Sequence, residues 1–205
     1  MGMSSTAARA LPVALATGEP ATEPARPAAD ADLEAVEASR RGEREAFDRL
    51  VVRYQRDVYR LCFRYVNDHA DANDLTQEAF LRAWRAIGGF RGQSRFSTWL
   101  YRIAVNACLN HRAARRPPAQ ELPEALPDPA VPASEAVVDE ERARRVRDAV
   151  SRLPEKQRAT LILKVYHDLT HREVAEALGS TVGTVKANLF HALGNLRRLV
   201  AEGGE

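Results

Sequence analysis

Residues 170–191 read THREVAEALGSTVGTVKANLFH, and their punctuation decides the fold. Thr170 and Glu173 have the spacing of a capping box, which launches a short helix with Val174, Ala175 and Leu178 inward. Gly179 follows where a left-handed residue ends such a helix. A second helix restarts near Val182, and at roughly 100° per residue Val182, Val185, Leu189, Leu193 and Leu196 fall on one side of it. Away from that side lie Thr184, Ala187, Asn188 and His191, flanked by Lys186 and Phe190. Asn pairs bidentately with adenine, His donates to guanine or phosphate, and Lys and Thr suit backbone contacts. Two helices joined by a tight glycine turn read as a helix-turn-helix, although a plain helical hairpin in a bundle carries the same signals.

Working back from this motif, a helix is expected over about Arg142 to Leu153, and Pro154-Glu155 opens another containing Ala159, Leu161, Ile162, Leu163, Val165 and Tyr166. Residues 117–141, PPAQELPEALPDPAVPASEAVVDEE, hold six prolines and seven carboxylates. Prolines and like charges keep such a segment extended, so it reads as a flexible linker, with helix supported only at its final residues.

Upstream, Ala46, Phe47, Leu50, Val51, Tyr54, Val58, Leu61, Cys62 and Tyr65 follow a three-four spacing, the mark of a long amphipathic helix ending near Val66. NDHADAN at 67–73 reads as a polar turn, and the next helix is expected from about Asp74 to Ile87, stopped by Gly88-Gly89. Its inward side is Leu75, Ala79, Ala83, Trp84 and Ile87, which leaves Asp74, Gln77, Glu78, Leu81 and Arg85 outward. Residues 90–116, FRGQSRFSTWLYRIAVNACLNHRAARR, carry six arginines and no acid among aromatic rings. A loop with Gly92 leads there into a helix from about Ser97, with Ser97 or Thr98 as cap. Phe96, Trp99, Leu100, Ile103 and Ala104 suit a core face, but a solvated face normally mixes both charges, so the missing carboxylates point to a nucleic-acid surface.

The chain is therefore expected to be all-α: a disordered tail over 1–30, a helical domain over 31–116, the acidic linker over 117–141, and a helix-turn-helix domain over 142–200. A formal net charge of +2 hides a segregation of sign, with eight arginines and no acid in 79–120, and twelve basic against five acidic residues in 142–198. That asymmetry points to polyanion contacts in two places. Cys62 and Cys108 have neither metal-knuckle nor disulfide-framework spacing, and fit a reducing cytosol as small buried residues. The scattered histidines likewise give no reason to expect a metal or any other cofactor. No apolar run approaches the roughly 20 residues of a membrane span. MGMSST formally fits a myristoylation pattern, but Met3 could equally be a start, and the match is read as chance.

In series, AFDRLVVRYQRDVYRL, DLTQEAFLRAWRAI, FRGQSRFSTWLYRIAVN, LPEKQRATLIL and EVAEALGSTVGTVKANLF resemble the extracytoplasmic-function sigma factors of bacterial RNA polymerase. The resemblance implies a cytoplasmic promoter-specificity subunit with no chemistry of its own and no small-molecule substrate. Its implied partners are core RNA polymerase, promoter DNA and, as is common in the family, an anti-sigma protein. It makes Asp74, Gln77, Glu78 and Leu81 the core-polymerase contacts. Asn106 matches the base-capturing Asn of the minus-ten reader, with the specificity loop expected in a turn over Ala107 to Arg116. Arg91, Arg95, Arg102, Asn110, Arg112 and Arg115 belong to the same reader, and Thr184, Lys186, Ala187, Asn188, Phe190 and His191 to the minus-35 reader. Many members carry Ser and Arg where Ala187, Asn188, His191 and Leu193 stand here, so this recognition helix has lost cationic contacts.

Two other classes share parts of this text. A helix-turn-helix regulator with a dimerising N-terminal domain would bind duplex without polymerase. A serine recombinase would use Ser94 or Ser97 near Arg91, Arg95 and Arg102 as nucleophile, although turn and cap chemistry accounts for both serines.

Overall fold

The structure is a computed structural model that describes residues 27–115 and 135–202, with side chains described over 32–114 and 141–202. Most of the expected tail and linker lies outside the described residues. Where described, both give way to helix: α1 (Pro27–Arg40) begins inside the span read as tail, and α5 (Glu135–Ser151) begins inside the span read as linker. Pro27 is tolerated at a first helical position, and residues 135–151 contain no proline to break α5. The described residues contain helices and turns and no strand.

The N-terminal domain is built on α2 (Arg44–Val66), whose buried stripe of Ala46, Phe47, Leu50, Val58, Leu61, Cys62 and Tyr65 keeps the expected spacing. It ends at Asn67, in the left-handed region with φ 56°, whose N–H donates to the Phe63 carbonyl at 2.8 Å. The segment expected as a polar turn is instead the start of α3 (His69–Ala86): the Asp68 carboxylate accepts from the Asp71 N–H at 2.9 Å. Asp and Asn disfavour helix interiors but satisfy free N–H groups in a first turn, so their polarity marks a cap here. Leu75, Ala79, Ala83 and Ile87 point inward, joined by Phe80. After a 3-10 turn (Ile87–Gly89) and an irregular loop through Arg95, α4 (Phe96–Arg115) completes the domain. Ser97 and Thr98 therefore lie inside its first turn. α1 is held on α2 by Asp32, which accepts from the Tyr54 hydroxyl and lies 2.5 Å from the Arg53 guanidinium.

In the C-terminal domain, α5 leads to α6 (Glu155–Leu161), which continues as a π-helical turn (Ile162–Tyr166). The capping box forms: the Thr170 hydroxyl accepts from the Glu173 N–H at 3.2 Å, while the Thr170 N–H donates to the Glu173 carboxylate at 2.8 Å. It opens α7 (His171–Ala177), and Gly179 with φ 58° makes the turn into α8 (Val182–Glu202). Thr181 caps α8 by accepting from the Thr184 N–H at 3.1 Å. Val185 and Ala192 are buried, whereas Val182 and Leu193, expected inward, are 38% and 41% exposed. The buried stripe is narrower than expected, with Leu189 and Leu196 half-buried on either side of Ala192.

The two domains pack together, and one apolar core runs through both. Arg158, only 1% exposed, is the central polar group. Its guanidinium donates to the carbonyls of Val150 at 2.9 Å and Leu153 at 3.1 Å, near the end of α5, and to Tyr65 at 3.1 Å, near the end of α2. The last carbonyls of a helix lack internal partners and carry its negative dipole end, so a single cation serves one helix terminus from each domain.

Candidate nucleic-acid interface

α3 presents Asp74, Gln77 and Leu81 to solvent, with Glu78 half-buried on the same strip. Glu78 lies 2.5 Å from Arg82, and Leu81 is 56% exposed among these polar groups. The strip follows from helical spacing once Leu75, Ala79 and Ala83 are committed to the core. It is an acidic face with an apolar centre, suited to a basic protein surface.

On α4, Arg102, Asn106 and Asn110 recur every fourth residue and are exposed along one line, beside the half-buried Trp99 and Ile103. Leu100, Ala104, Ala107 and Cys108 anchor the opposite side. The rings of the preceding loop are structural. Phe90 and Phe96 are 8% and 5% exposed, and both pack on Trp99, with centroids 5.1 and 5.6 Å away. Arg91 and Arg95 remain exposed on that loop.

The sequence expectation fails at one point here. No turn follows Asn106, because α4 continues to Arg115, and the irregular backbone lies before the helix, where Gly92 has φ 66°. Residues 107–115 contain neither Gly nor Pro to stop a helix. One consequence is that Arg112 lies around the helix from Asn106, where its charge reaches the Tyr65 hydroxyl. Arg115 is placed on the last turn of α4, and its side chain lies outside those described.

Thr184, Lys186, Ala187, Phe190 and His191 are exposed on α8, and Asn188 is half-buried. Phe190 is 75% exposed and packs edge-on against His191 at 5.6 Å, which leaves an open ring face on the helix surface. The Thr184 hydroxyl is engaged with that of Thr181 at 2.9 Å, so it stays at the helix N-terminus, where free N–H groups favour phosphate. A shallow cavity of about 300 Å³ between Phe190, His191, Leu193, Gly194, Asn195 and Arg197 adjoins this face.

Sequence reasoning missed the groups between the domains. Tyr101, 6% exposed, packs on His167 with ring centroids 4.9 Å apart, and Arg64 lies 4.2 Å over the Tyr166 ring. Burial lowers the His167 pKa to about 4 and keeps the ring neutral. Cys62 and Cys108 meet in the N-terminal core, where their mutual hydrogen bond and burial push the Cys108 thiol well above the ordinary range. A protonated, buried thiol is inert packing. No described helix is long and apolar enough to cross a membrane.

Two family models match the chain, sigma-70 region 2 over residues 50–117 and sigma-70 region 4 over residues 143–196. The RNA polymerase sigma-H factor of Pseudomonas aeruginosa is 39% identical over 173 residues, spanning 78% of this chain and 89% of that protein. The ECF RNA polymerase sigma-E factor of Escherichia coli K12 is 38% identical over 169 residues, spanning 77% and 87%. Among solved structures, CnrH in complex with the cytosolic domain of CnrY superposes with a TM-score of 0.66 at 22% identity, covering 84% of this chain and 99% of that one. The sigma factor RpoE of Bartonella quintana, in complex with the anti-sigma factor NepR, gives 0.59 at 20% identity, covering 76% and 96%. These two likenesses concern the fold, in which both have the same pair of helical domains. With both region models matched in order and such identity over most of its length, the chain belongs to the ECF-type sigma factors of the sigma-70 family.

Proposed function

We propose that this sigma factor binds core RNA polymerase through the α3 strip of Asp74, Gln77, Glu78 and Leu81. In the holoenzyme, α8 reads the minus-35 element with Lys186, Ala187, Asn188, Phe190 and His191, with Thr184 at its N-terminus. The α4 line of Arg102, Asn106 and Asn110, with Arg91 and Arg95 of the preceding loop, holds the opened minus-ten strand. Asn106 captures a flipped base, while Arg112 and Arg115 lie further along the same helix. The observation that supports this assignment is the exposure of Asn106 between Arg102 and Asn110 on a helix whose other side is locked into the core.

On this reading the protein works in the cytoplasm without chemistry of its own, in four parts: a tail over 1–30, region 2 over 31–116, a linker over 117–141 and region 4 over 142–200. An anti-sigma protein is a further partner of the kind found with its relatives.

The test is transcription in vitro with bacterial core polymerase over a promoter library, followed by Asn106→Ala on a responsive promoter. A bidentate base contact is worth about 1–3 kcal/mol, so strand opening read by permanganate should fall about fivefold or more. Binding to core should stay within about twofold, on the same scale of contact energies. Equal loss of opening and of core binding removes the assignment of Asn106.

A further inference from the structure

The outward face of α2 belongs to neither of the proposed readers. Residues 49–66 hold five arginines and a single acid, Asp57. At about 100° per residue, Val52, Arg56, Tyr59 and Phe63 fall within roughly 60° of arc, flanked by Arg49 and Arg60, on the side opposite Val58, Leu61 and Tyr65. Arg49, Arg56 and Arg60 are exposed and so is Val52, at 70%, while Tyr59 and Phe63 are half-buried. The other two arginines are committed elsewhere, Arg53 to Asp32 and Arg64 to the Tyr166 ring at the seam between the domains. Arg60 has only a distant acid, Asp57 at 3.8 Å, and no described acid pairs with Arg49 or Arg56.

The rings on this face form an ordered set. His69, the first residue of α3, stacks on Phe63 with centroids 4.3 Å apart and planes inclined by 21°. Tyr59 lies parallel to Phe63 within 9°, and its hydroxyl is hydrogen-bonded to His69 Nδ1 at 2.6 Å. That bond occupies the hydroxyl and one ring nitrogen with each other, so what the set offers outward is mainly ring surface. His69 is exposed, and its described ring contacts are with Tyr59 and Phe63.

Unpaired arginines beside exposed parallel rings fit an anionic chain that carries flat bases. An acidic protein segment would use the arginines and leave the rings idle, and a duplex would keep its bases stacked on one another, out of reach of side-chain rings. From Arg49 to Phe63 the face is about 21 Å long, which matches roughly six nucleotides stacked at about 3.4 Å each.

We propose that this α2 face, with Arg49, Arg56 and Arg60 beside the Tyr59, Phe63 and His69 rings, is a further DNA site that grips the phosphates of a single strand and stacks its bases without reading their edges. The choice of DNA rather than RNA rests on the promoter-opening function proposed above, whereas the charge and the rings require only a single strand. The face points away from the core between α2 and α4, apart from the line of Arg102, Asn106 and Asn110.

The test uses full-length protein and a fluorescein-labelled oligothymidylate of about twelve nucleotides, read by anisotropy across a salt series. Arg56→Ala with Arg60→Ala should weaken binding about tenfold and flatten the slope of log affinity against log salt by about 1.4, two phosphate contacts at roughly 0.7 each. Tyr59→Leu with Phe63→Leu should weaken it about fivefold or more, yet leave an abasic strand of the same length bound within about twofold of the parent. Arg41→Ala with Arg144→Ala removes the same charge from exposed positions elsewhere and should stay within about twofold. An iodouracil-substituted strand photo-cross-linked to the unaltered protein needs no variant, and its adducts should map to peptides carrying Tyr59, Phe63 or His69. Adducts confined to α4 or α8, ring variants that bind like the parent, equal loss with the Arg41 and Arg144 pair, or absence of binding to the strand each overturn the proposal. So does oligouridylate bound about tenfold more tightly than oligothymidylate. A chain that holds the strand through α2 and yet gives no transcription with core polymerase counts instead against the promoter-reading function.

Discussion

Arg158→Met keeps an unbranched apolar stem in place of the arginine methylenes and removes the guanidinium. Three carbonyls then lose a charged donor, those of Val150 and Leu153 inside region 4 and that of Tyr65 across the seam. Bonds of this type are worth about 1.5–3 kcal/mol each, and relief from holding a cation out of water offsets a part of that. A net loss of about 3 kcal/mol is expected for region 4 and about 1 kcal/mol for the contact with region 2. The placement of the tryptophans separates these effects, since Trp84 on α3 and Trp99 on α4 both lie in region 2. In a urea titration, far-UV circular dichroism follows both domains while tryptophan fluorescence follows region 2. With a slope of about 1 kcal/mol per molar, the region 4 transition should move down by roughly 2–3 M and the fluorescence transition by about 1 M. Arg158→Lys, which keeps the charge but reaches fewer carbonyls, should fall between. A loss below about 0.5 kcal/mol by both probes would refute the capping role assigned to Arg158, well outside the range for such bonds.

Two further outcomes follow from the same geometry. Burial lowers the His167 pKa to about 4, with Asp57 and Asp168 opposing the shift and Arg64 and Arg60 adding to it. An exposed His binds its proton near pH 6.5, so stability present above that pH should be lost as pH falls toward about 4, amounting to roughly 1.4 kcal/mol by about pH 5.5. Urea midpoints measured against pH should show this slope, and His167→Gln should flatten it. Thr170→Ala removes one half of the capping box and should cost region 4 about 1 kcal/mol, read as a lower midpoint by circular dichroism. An unchanged midpoint would mean that Glu173 alone holds the start of α7.

Local chemistry was the legible part of this chain. The Thr170 and Glu173 box, the glycine at 179 and the stripe of α2 each arise from neighbours in sequence, and each forms as expected. The expected start of α3 was late because Asp68 and Asp71, read as turn formers, act as a cap and the residue it captures. The turn placed after Asn106 came from the resemblance, whereas the local text, without a breaker until Pro117, favoured the helix that forms. At the candidate site, the face of α4 could be derived from spacing alone. Arg112 could not be assigned to that face once the helix was extended through it. The role of Arg158 was not legible at all, since two of its three acceptors are the ends of helices whose relative placement only the folded chain determines. Tyr101 and His167 are similar, because a ring destined for a seam has the same local pattern as one destined for a core.

The π-helical turn from Ile162 to Tyr166 changes the phase of everything after it. A turn of this kind holds about one residue more than an α-helical turn, equivalent to a rotation of roughly 100° for the residues that follow. Tyr166 lies under the Arg64 guanidinium and His167 packs on Tyr101 at the end of this turn, while α7 and α8 start at their own caps. Gain or loss of a single codon in this stretch would therefore re-aim the Tyr166 and His167 contacts alone, while Arg158, which precedes the turn, would keep its hold on the Tyr65 carbonyl.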